Sequence, residues 1–490
     1  MKNLRDILNE SCGLAGAVNI PLASKPVVSM GMSQQHRGEA GTGCCSSDGE
    51  NLYLKKDKGL IKVVFPRDFD YKKNIPGDMA IFHNRYATRG SVEEICNVQP
   101  LLFKDSKFGQ YAIGHNGQLI DVNHEKDKML KGGAIFQSTT DSEILAHLIA
   151  KTGKDTIEEA IASEIVKIPS AYSVLIMTPS KLIALRDKFG VRPLSIAQMG
   201  EGYLVASETA AFRIFEDEAK FIRHINPGEM VIFDRDEVKA GKGFRSIQYV
   251  ASSKDLEAWC IFEGIYFSDP RSEHNGYMHE DFRQECGRKV YEENKQLFEK
   301  LKMEFGDKIA MIPMLDSGKQ GSIGFSKASG IPYKEYFMRR HNAPQPIGRS
   351  YTAAYQEERE MIAKMKSDLR SEKVNGICAI TGDDSEVRGT TITSNNKRLR
   401  KSGAKYIVNV VFSPMLRGTC REGMDHQTSN ELIAHQCDYD LEKISKSTGA
   451  DITIYLTPPG LHELAAENYR SGICSGCFGG RYTTSLTESK

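Results

Sequence analysis

Residues 376–411, GICAITGDDSEVRGTTITSNNKRLRKSGAKYIVNVV, constrain the fold of this chain more than any other stretch. An apolar run at 377–380 reads as a buried strand. A polar loop follows: Gly382, Asp383, Asp384, Ser385, Glu386, Val387, Arg388 and Gly389. The spacing predicts a helix over 390–402, stopped by Gly403. Lys397, Arg398, Arg400 and Lys401 complement the dipole at its carboxyl end. Residues 406–411 are a second apolar strand, so the unit is strand, loop, helix, strand.

The loop is suited to a sugar phosphate. Gly389, Thr390 and Thr391 place backbone N–H groups and hydroxyls at a helix N-terminus, which attracts anions. Asp383 and Asp384 stand at the carboxyl end of the strand, where open α/β sheets take ligands. Two carboxylates repel a bare phosphate but suit vicinal ribose hydroxyls and a divalent metal. The same residues would also serve as a solvated acidic turn. This stretch resembles the phosphoribosylpyrophosphate (PRPP) loop of type I phosphoribosyltransferases. The resemblance implies that Asp383 and Asp384 meet the ribose hydroxyls and Mg2+. It implies too that Ser385, Arg388, Gly389, Thr390 and Thr391 hold the 5′-phosphate. Gly382 and Glu386 stand where that family carries apolar residues, and Glu386 adds a negative charge near the phosphate.

At 490 residues the chain has room for two or more domains with separate cores. With 65 basic and 64 acidic residues, net charge +1, it has no general attraction for nucleic acid or membrane. No apolar run reaches membrane-span length, and MKNLRDILNES lacks the core of a secretory signal. A cytoplasmic location is expected, where eleven cysteines serve as thiols, ligands or nucleophiles rather than disulfides.

In the first half, Cys12 opens a small-residue apolar strand, CGLAGAV. On its own it would be a buried core thiol. HNRYATRG (83–90), GHNG (114–117), TTDSE (139–143), DKFGVRPL (187–194) and SETAAF (207–212) follow in order. TTDSE caps a predicted helix over 144–150, with Ile144, Leu145, Leu148 and Ile149 on one face. Residues 171–178 and 182–185 read as strands.

The ordered set resembles the class II glutamine amidotransferase domain, an α+β N-terminal-nucleophile (Ntn) hydrolase built as an αββα sandwich. The resemblance implies Cys12 as nucleophile. It implies Arg85 on the glutamine α-carboxylate, Asp141 on its α-ammonium, and Asn116 with the Gly117 N–H as oxyanion hole. A thiolate cleaves a side-chain amide through an acyl intermediate, and a terminal α-amino group titrates near neutrality and can act as its base. Residues 1–11 are therefore expected to be a propeptide; retained, they would leave an ordinary arm and a dead glutaminase. Read alone, Asn116-Gly117 is also a type I′ turn signal, and Arg85 an ion-pair partner.

Residues 234–254 turn polar and glycine-rich, a domain boundary. Residues 280–303 are charged with helical period. The apolar strand 309–315 leads into Asp316-Ser317-Gly318-Lys319, which resembles the family's pyrophosphate loop, with Ser317 near Mg2+ and Lys319 as a cation. A plain strand-to-helix turn fits the same residues. Residues 337–351 lie where the family carries a loop that closes over PRPP; Arg349 with Arg339 and Arg340 supplies positive charge there, and Pro344 and Pro346 stiffen it. Near the end stands Cys474-Ser-Gly-Cys477, which alone reads as a redox pair, a zinc half-site or two unrelated thiols.

Taken whole, the chain resembles the glutamine PRPP amidotransferases. The resemblance implies an Ntn sandwich over 12–250, an α/β type I phosphoribosyltransferase domain over 251–460 and a tail over 461–490. It implies synthesis of 5-phosphoribosylamine, the entry step of purine synthesis, with Mg2+ as cofactor. It also implies purine nucleotide inhibitors and a homo-oligomer, a tetramer. In one subgroup four cysteines hold a [4Fe–4S] cluster; Cys260, Cys420, Cys474 and Cys477 occupy those places. Two other readings stay open: a glutaminase joined to another phosphosugar acceptor, and a catalytically silent PRPP or nucleotide binder.

Overall fold

The computed structural model describes residues 12–86, 94–119, 123–168, 170–252, 256–339, 367–420, 422 and 429–483. Strand Gly13–Val18 sits at the centre of a seven-stranded antiparallel sheet. Its order is Ala219–His224, Ser195–Met199, Gly202–Ala206, Gly13–Val18, Met79–Arg85, Gly41–Ser47, Leu52–Lys58. Alternation sorts its side chains: Leu14 and Val18 face a second sheet, and Ala15 and Ala17 lie under helix Ser24–Ser33. Gly16 lets the sheets close, because a Cβ there would stand 3.1 Å from Leu182 Cδ2.

The second sheet runs Arg245–Gln248, Glu229–Asp234, Lys181–Arg186, Ala171–Met177, Gly109–Gln118, Leu101–Asp105, all antiparallel. Its outer face is covered by helices Ser142–Lys151 and Ile157–Ile165 through Ile144, Leu145, Ile149, Ile161 and Ile165. Leu148, expected on the buried stripe, is only partly covered. The layers are helix, sheet, sheet, helix. The polar stretch 234–254 is not all linker, since Arg245–Gln248 closes the edge of this sheet.

The joint follows. The carboxylate of Asp187 accepts backbone N–H groups from Tyr172, Phe189, Val191 and Arg192, folding DKFGVRPL around itself. Phe189 and Val191 carbonyls then accept the N–H groups of Ala258 and Cys260. Beyond it lies a parallel sheet, Ile309–Pro313, Cys378–Asp383, Tyr406–Val411, Ile452–Tyr455. The predicted helix is Thr390–Lys401, with Gly403 in the left-handed region at φ 88°. The charged stretch 280–303 divides into His279–Glu293 and Lys295–Phe305, broken at Asn294.

Candidate functional site

Two centres form, one in each half. In the sandwich, the pairing of Gly13 with Asn84 and Leu14 with His83 brings Cys12 level with Arg85. Both are buried, Arg85 with 1% exposure. Asn116 and Gly117 lie within strand Gly109–Gln118, opposite Ser173 and Tyr172, so they are not a hairpin turn. Tertiary pairing overrides the local Asn-Gly signal here. Gly117 has φ 138°, and a Cβ would lie 2.2 Å from the Ala171 carbonyl oxygen, so only glycine fits. A hydrogen bond of 3.1 Å between His83 Nε2 and the His115 carbonyl ties the two sheets beside these residues.

Asn116 is fully buried, and neither its Oδ1 nor its Nδ2 has a hydrogen-bond partner among the described residues. Asp141, 3% exposed, accepts the Leu119 N–H at 2.7 Å through Oδ2, while Oδ1 has no partner there. Buried polar groups are almost always satisfied. Two orphaned at one strand end mark a place built for a polar ligand.

Sequence reading missed the residue that grips the Cys12 backbone. Arg37 Nε donates to the Cys12 carbonyl at 3.2 Å. Its Nη1 donates to Glu208 Oε1 at 2.6 Å, and Nη2 to Glu263 Oε1 at 2.8 Å. All three are buried. The two carboxylates hold the guanidinium charged against the cost of burial. Glu208 belongs to SETAAF and Glu263 to the stretch after the joint, but nothing around Arg37 signalled the contact.

In the parallel half, both loops rise at the carboxyl end of the sheet. Pro313 pairs with Gly382, and the Met314 N–H donates to the Gly382 carbonyl at 2.8 Å. Ser317 and Asp384 line one small pocket with Arg283, Gly321 and Phe412. Asp384 is buried; Ser385 Oγ donates to its Oδ2 at 2.8 Å. Burial and the neighbouring Asp384 carboxylate push Asp383 well above the usual carboxylate range. Oxygen donors under that repulsion suit Mg2+ or ribose hydroxyls. Gly389, φ 66°, caps helix Thr390–Lys401 without a side-chain hydrogen bond, leaving that N-terminus open to an anion.

Three expectations look different in three dimensions. Arg388 is engaged by Glu431, Nε to Oε2 3.0 Å. Lys319 lies 3.3 Å from Glu335 Oε1 and 3.9 Å from Asp316 Oδ1. Glu386 is buried, which pushes its carboxyl up to about 7, while the Tyr455 hydroxyl that donates to it pulls the other way. Its negative charge is therefore muted below neutrality. Gly382 has no room for the family's apolar side chain: a Cβ would stand 2.2 Å from Ser322 Oγ. Arg349, most of 337–351 and residues 1–11 lie outside the described residues.

Cys260 pairs with Cys474 in a short parallel ladder, and the N–H groups of Arg417 and Gly418 donate to the Cys477 carbonyl. Cys260, Cys420, Cys474 and Cys477 are buried. Burial pushes up the thiols of Cys260, Cys474 and Cys477, and the charges of the other cysteines in the set push the same way. Among the described residues no three His, Cys, Asp or Glu side chains form a ready-made metal-binding group. Four thiolates are the donors that an iron–sulfur cluster takes.

Comparison with known proteins places this arrangement. A model of the glutamine amidotransferase domain matches residues 83–213. An amidophosphoribosyltransferase of Bacillus subtilis (strain 168) is 34% identical over 98% of this chain and 96% of its own. One from Methanocaldococcus jannaschii is 32% identical over 93% of each. The solved glutamine PRPP amidotransferase from B. subtilis, complexed with ADP and GMP, matches with a TM-score of 0.83 at 33% identity. The match covers 96% of this chain and 97% of that one. The fold is thus an Ntn glutamine amidotransferase sandwich followed by a type I phosphoribosyltransferase domain, as the motifs implied. At that identity over almost the full length of both chains, this chain belongs to the amidophosphoribosyltransferase family of enzymes.

Proposed function

We propose that this chain makes 5-phosphoribosylamine, glutamate and pyrophosphate from glutamine, PRPP and water, with residues 12–250 releasing ammonia and 251–460 consuming it. The observation that carries the reading is the pair of orphaned buried groups, Asn116 and Asp141 Oδ1, beside the strand that Cys12 opens. Asn116 would donate to the oxyanion that forms as the Cys12 thiolate attacks the amide, together with the Gly117 N–H. Asp141 would take the substrate ammonium and Arg85 its carboxylate. Removal of residues 1–11 would supply the α-amino base at Cys12.

At the second centre, Asp383 and Asp384 would hold the ribose hydroxyls, with Ser317 completing an oxygen set for Mg2+. When bound, the metal stabilises departing pyrophosphate. The open N-terminus at Gly389, Thr390 and Thr391 would take the 5′-phosphate, with Ser385 and Arg388; Lys319 and Arg349 would face the pyrophosphate.

Cys260, Cys420, Cys474 and Cys477 would hold a [4Fe–4S] cluster that pins the tail over 461–490. Protein prepared without air should then carry iron and sulfide and lose both, with Tm, on oxidation. Purine nucleotide inhibition, a tetramer and a cytoplasmic location complete the reading. Among the described residues no helix is long and apolar enough to cross a membrane.

The deciding experiment uses Cys12→Ala. It should lose glutamine-dependent synthesis and keep synthesis from ammonium and PRPP. Undiminished synthesis from glutamine would sink the reading, and an intact mass retaining residues 1–11 in active enzyme would remove the α-amino base.

A further inference from the structure

Arg37 and Arg283 lie at the two ends of one buried polar segment. Arg37 bonds the Cys12 carbonyl and reaches Glu263 through two contacts, Nη2 to Oε1 at 2.8 Å and Nη1 to Oε2 at 3.0 Å. Ser268 Oγ donates to Glu263 Oε2 at 2.6 Å and stands 3.5 Å from Arg37 Nη1. Four residues lie between Glu263 and Ser268, and Arg283 spans them from the far side. Its Nε donates to the Gly264 carbonyl at 2.8 Å and its Nη2 to the Ser268 carbonyl at 2.6 Å. Arg283 also lines the cavity that holds Ser317 and Asp384.

We propose that Glu263 is a positioning residue that couples the two centres, holding Arg37 on the Cys12 carbonyl while two carbonyls of its own segment hold Arg283 against the pocket that Ser317 and Asp384 line. The inference deepens the function proposed above and rests on its assignment of Cys12 and Asp384. A polyanion and its metal at Asp384 change the charge that Arg283 faces. Arg283 is fixed by two carbonyls on the segment that Glu263 opens, so any shift of the guanidinium moves that segment. A charge buried with all its partners cannot relax into solvent, so the shift is passed to Arg37 and to Cys12. Contiguity becomes coupling only if both sites bias the same element. That is what the test reads.

Glutamine hydrolysis is measured with and without PRPP and Mg2+, beside synthesis from ammonium, on the full-length enzyme. Glu263→Gln keeps the shape and one acceptor for Arg37 but removes the charge. It should cut the stimulation of hydrolysis by PRPP about tenfold and leave ammonium-dependent synthesis at the wild-type level. Ser268→Ala deletes only the hydroxyl between Glu263 and Arg37, should act in the same direction, and decides the matter if Glu263→Gln does not fold. Stimulation retained in Ser268→Ala and in any folded Glu263→Gln overturns the inference. So does a parallel fall of glutamine- and ammonium-dependent activity, the mark of a structural role. A wild-type enzyme whose glutamine hydrolysis ignores PRPP refutes instead the reading on which the inference rests.

Discussion

Arg388 gives its Nε hydrogen to Glu431 Oε2, 3.0 Å away, beside the glycine that caps the phosphate-loop helix. The partner carboxylate is 41% exposed, so the pair is a modest one. An ion pair of this kind contributes on the order of 0.2–1 kcal/mol. In the proposed phosphate site PRPP would compete with Glu431 for the guanidinium. Glu431→Gln should therefore tighten PRPP binding, by up to about fivefold. Titration calorimetry with PRPP and Mg2+ checks it, and weaker binding would remove Arg388 from the phosphate site.

Asn116 should be worth more to turnover than to binding. Its amide lies buried and unpartnered among the described residues, and as the proposed oxyanion donor it would meet charge that exists only after attack. Asn116→Ala should lower glutaminase kcat by about 10²–10³-fold, with KM for glutamine nearly unchanged. A rise in KM alone would make Asn116 a binding residue instead.

Acid should unfold this enzyme from its histidines. Burial holds His83 and His279 at about 3, far below the unfolded value of about 6.5. The unfolded chain takes up those protons first. Stability is therefore full above about pH 6.5 and lost as pH falls toward 3, by about 1.4 kcal/mol per histidine for each pH unit. Urea unfolding between pH 7 and 5 should show this slope. His279→Gln, still able to meet the Tyr469 hydroxyl that lies 2.8 Å from Nδ1, should remove about one proton from it. An unchanged slope would mean that His279 is protonated in the fold.

Restoring the family's residue in the PRPP loop should harm this protein. Gly382→Val drives a Cβ to within 2.2 Å of Ser322 Oγ and 2.8 Å of Phe412 Cζ. Overpacking of that kind costs about 1–3 kcal/mol. Adding Ser322→Ala should recover part of it, and thermal melts of the two variants compare directly. Equal melts would show that the first clash relaxes by other means.

The features legible in the sequence were those with local rules. Alternation in CGLAGAV, the apolar run before Gly382 and the cationic end of the helix before Gly403 each follow from periodicity or charge over a few residues. Asn116-Gly117 read alone signals a turn, because the strand that holds it is defined by partners more than fifty residues on, at Tyr172 and Ser173; only the ordered motif set pointed away from the turn. The grip of Arg37 on Glu263 joins positions 226 apart, with no pattern around either to announce it. Glu431 against Arg388 is the same kind of case, a surface acid that matters only through the neighbour the fold brings to it.

The clasp on the Cys12 carbonyl also orders events on the ribosome. While only the sandwich has emerged, Arg37 has the carboxylate of Glu208 for company. Its second anchor is translated 226 residues later and must then dock. A half-made polypeptide therefore lacks the finished clamp. Until that anchor docks, the Cys12 carbonyl is held by a guanidinium with one carboxylate beside it in place of two.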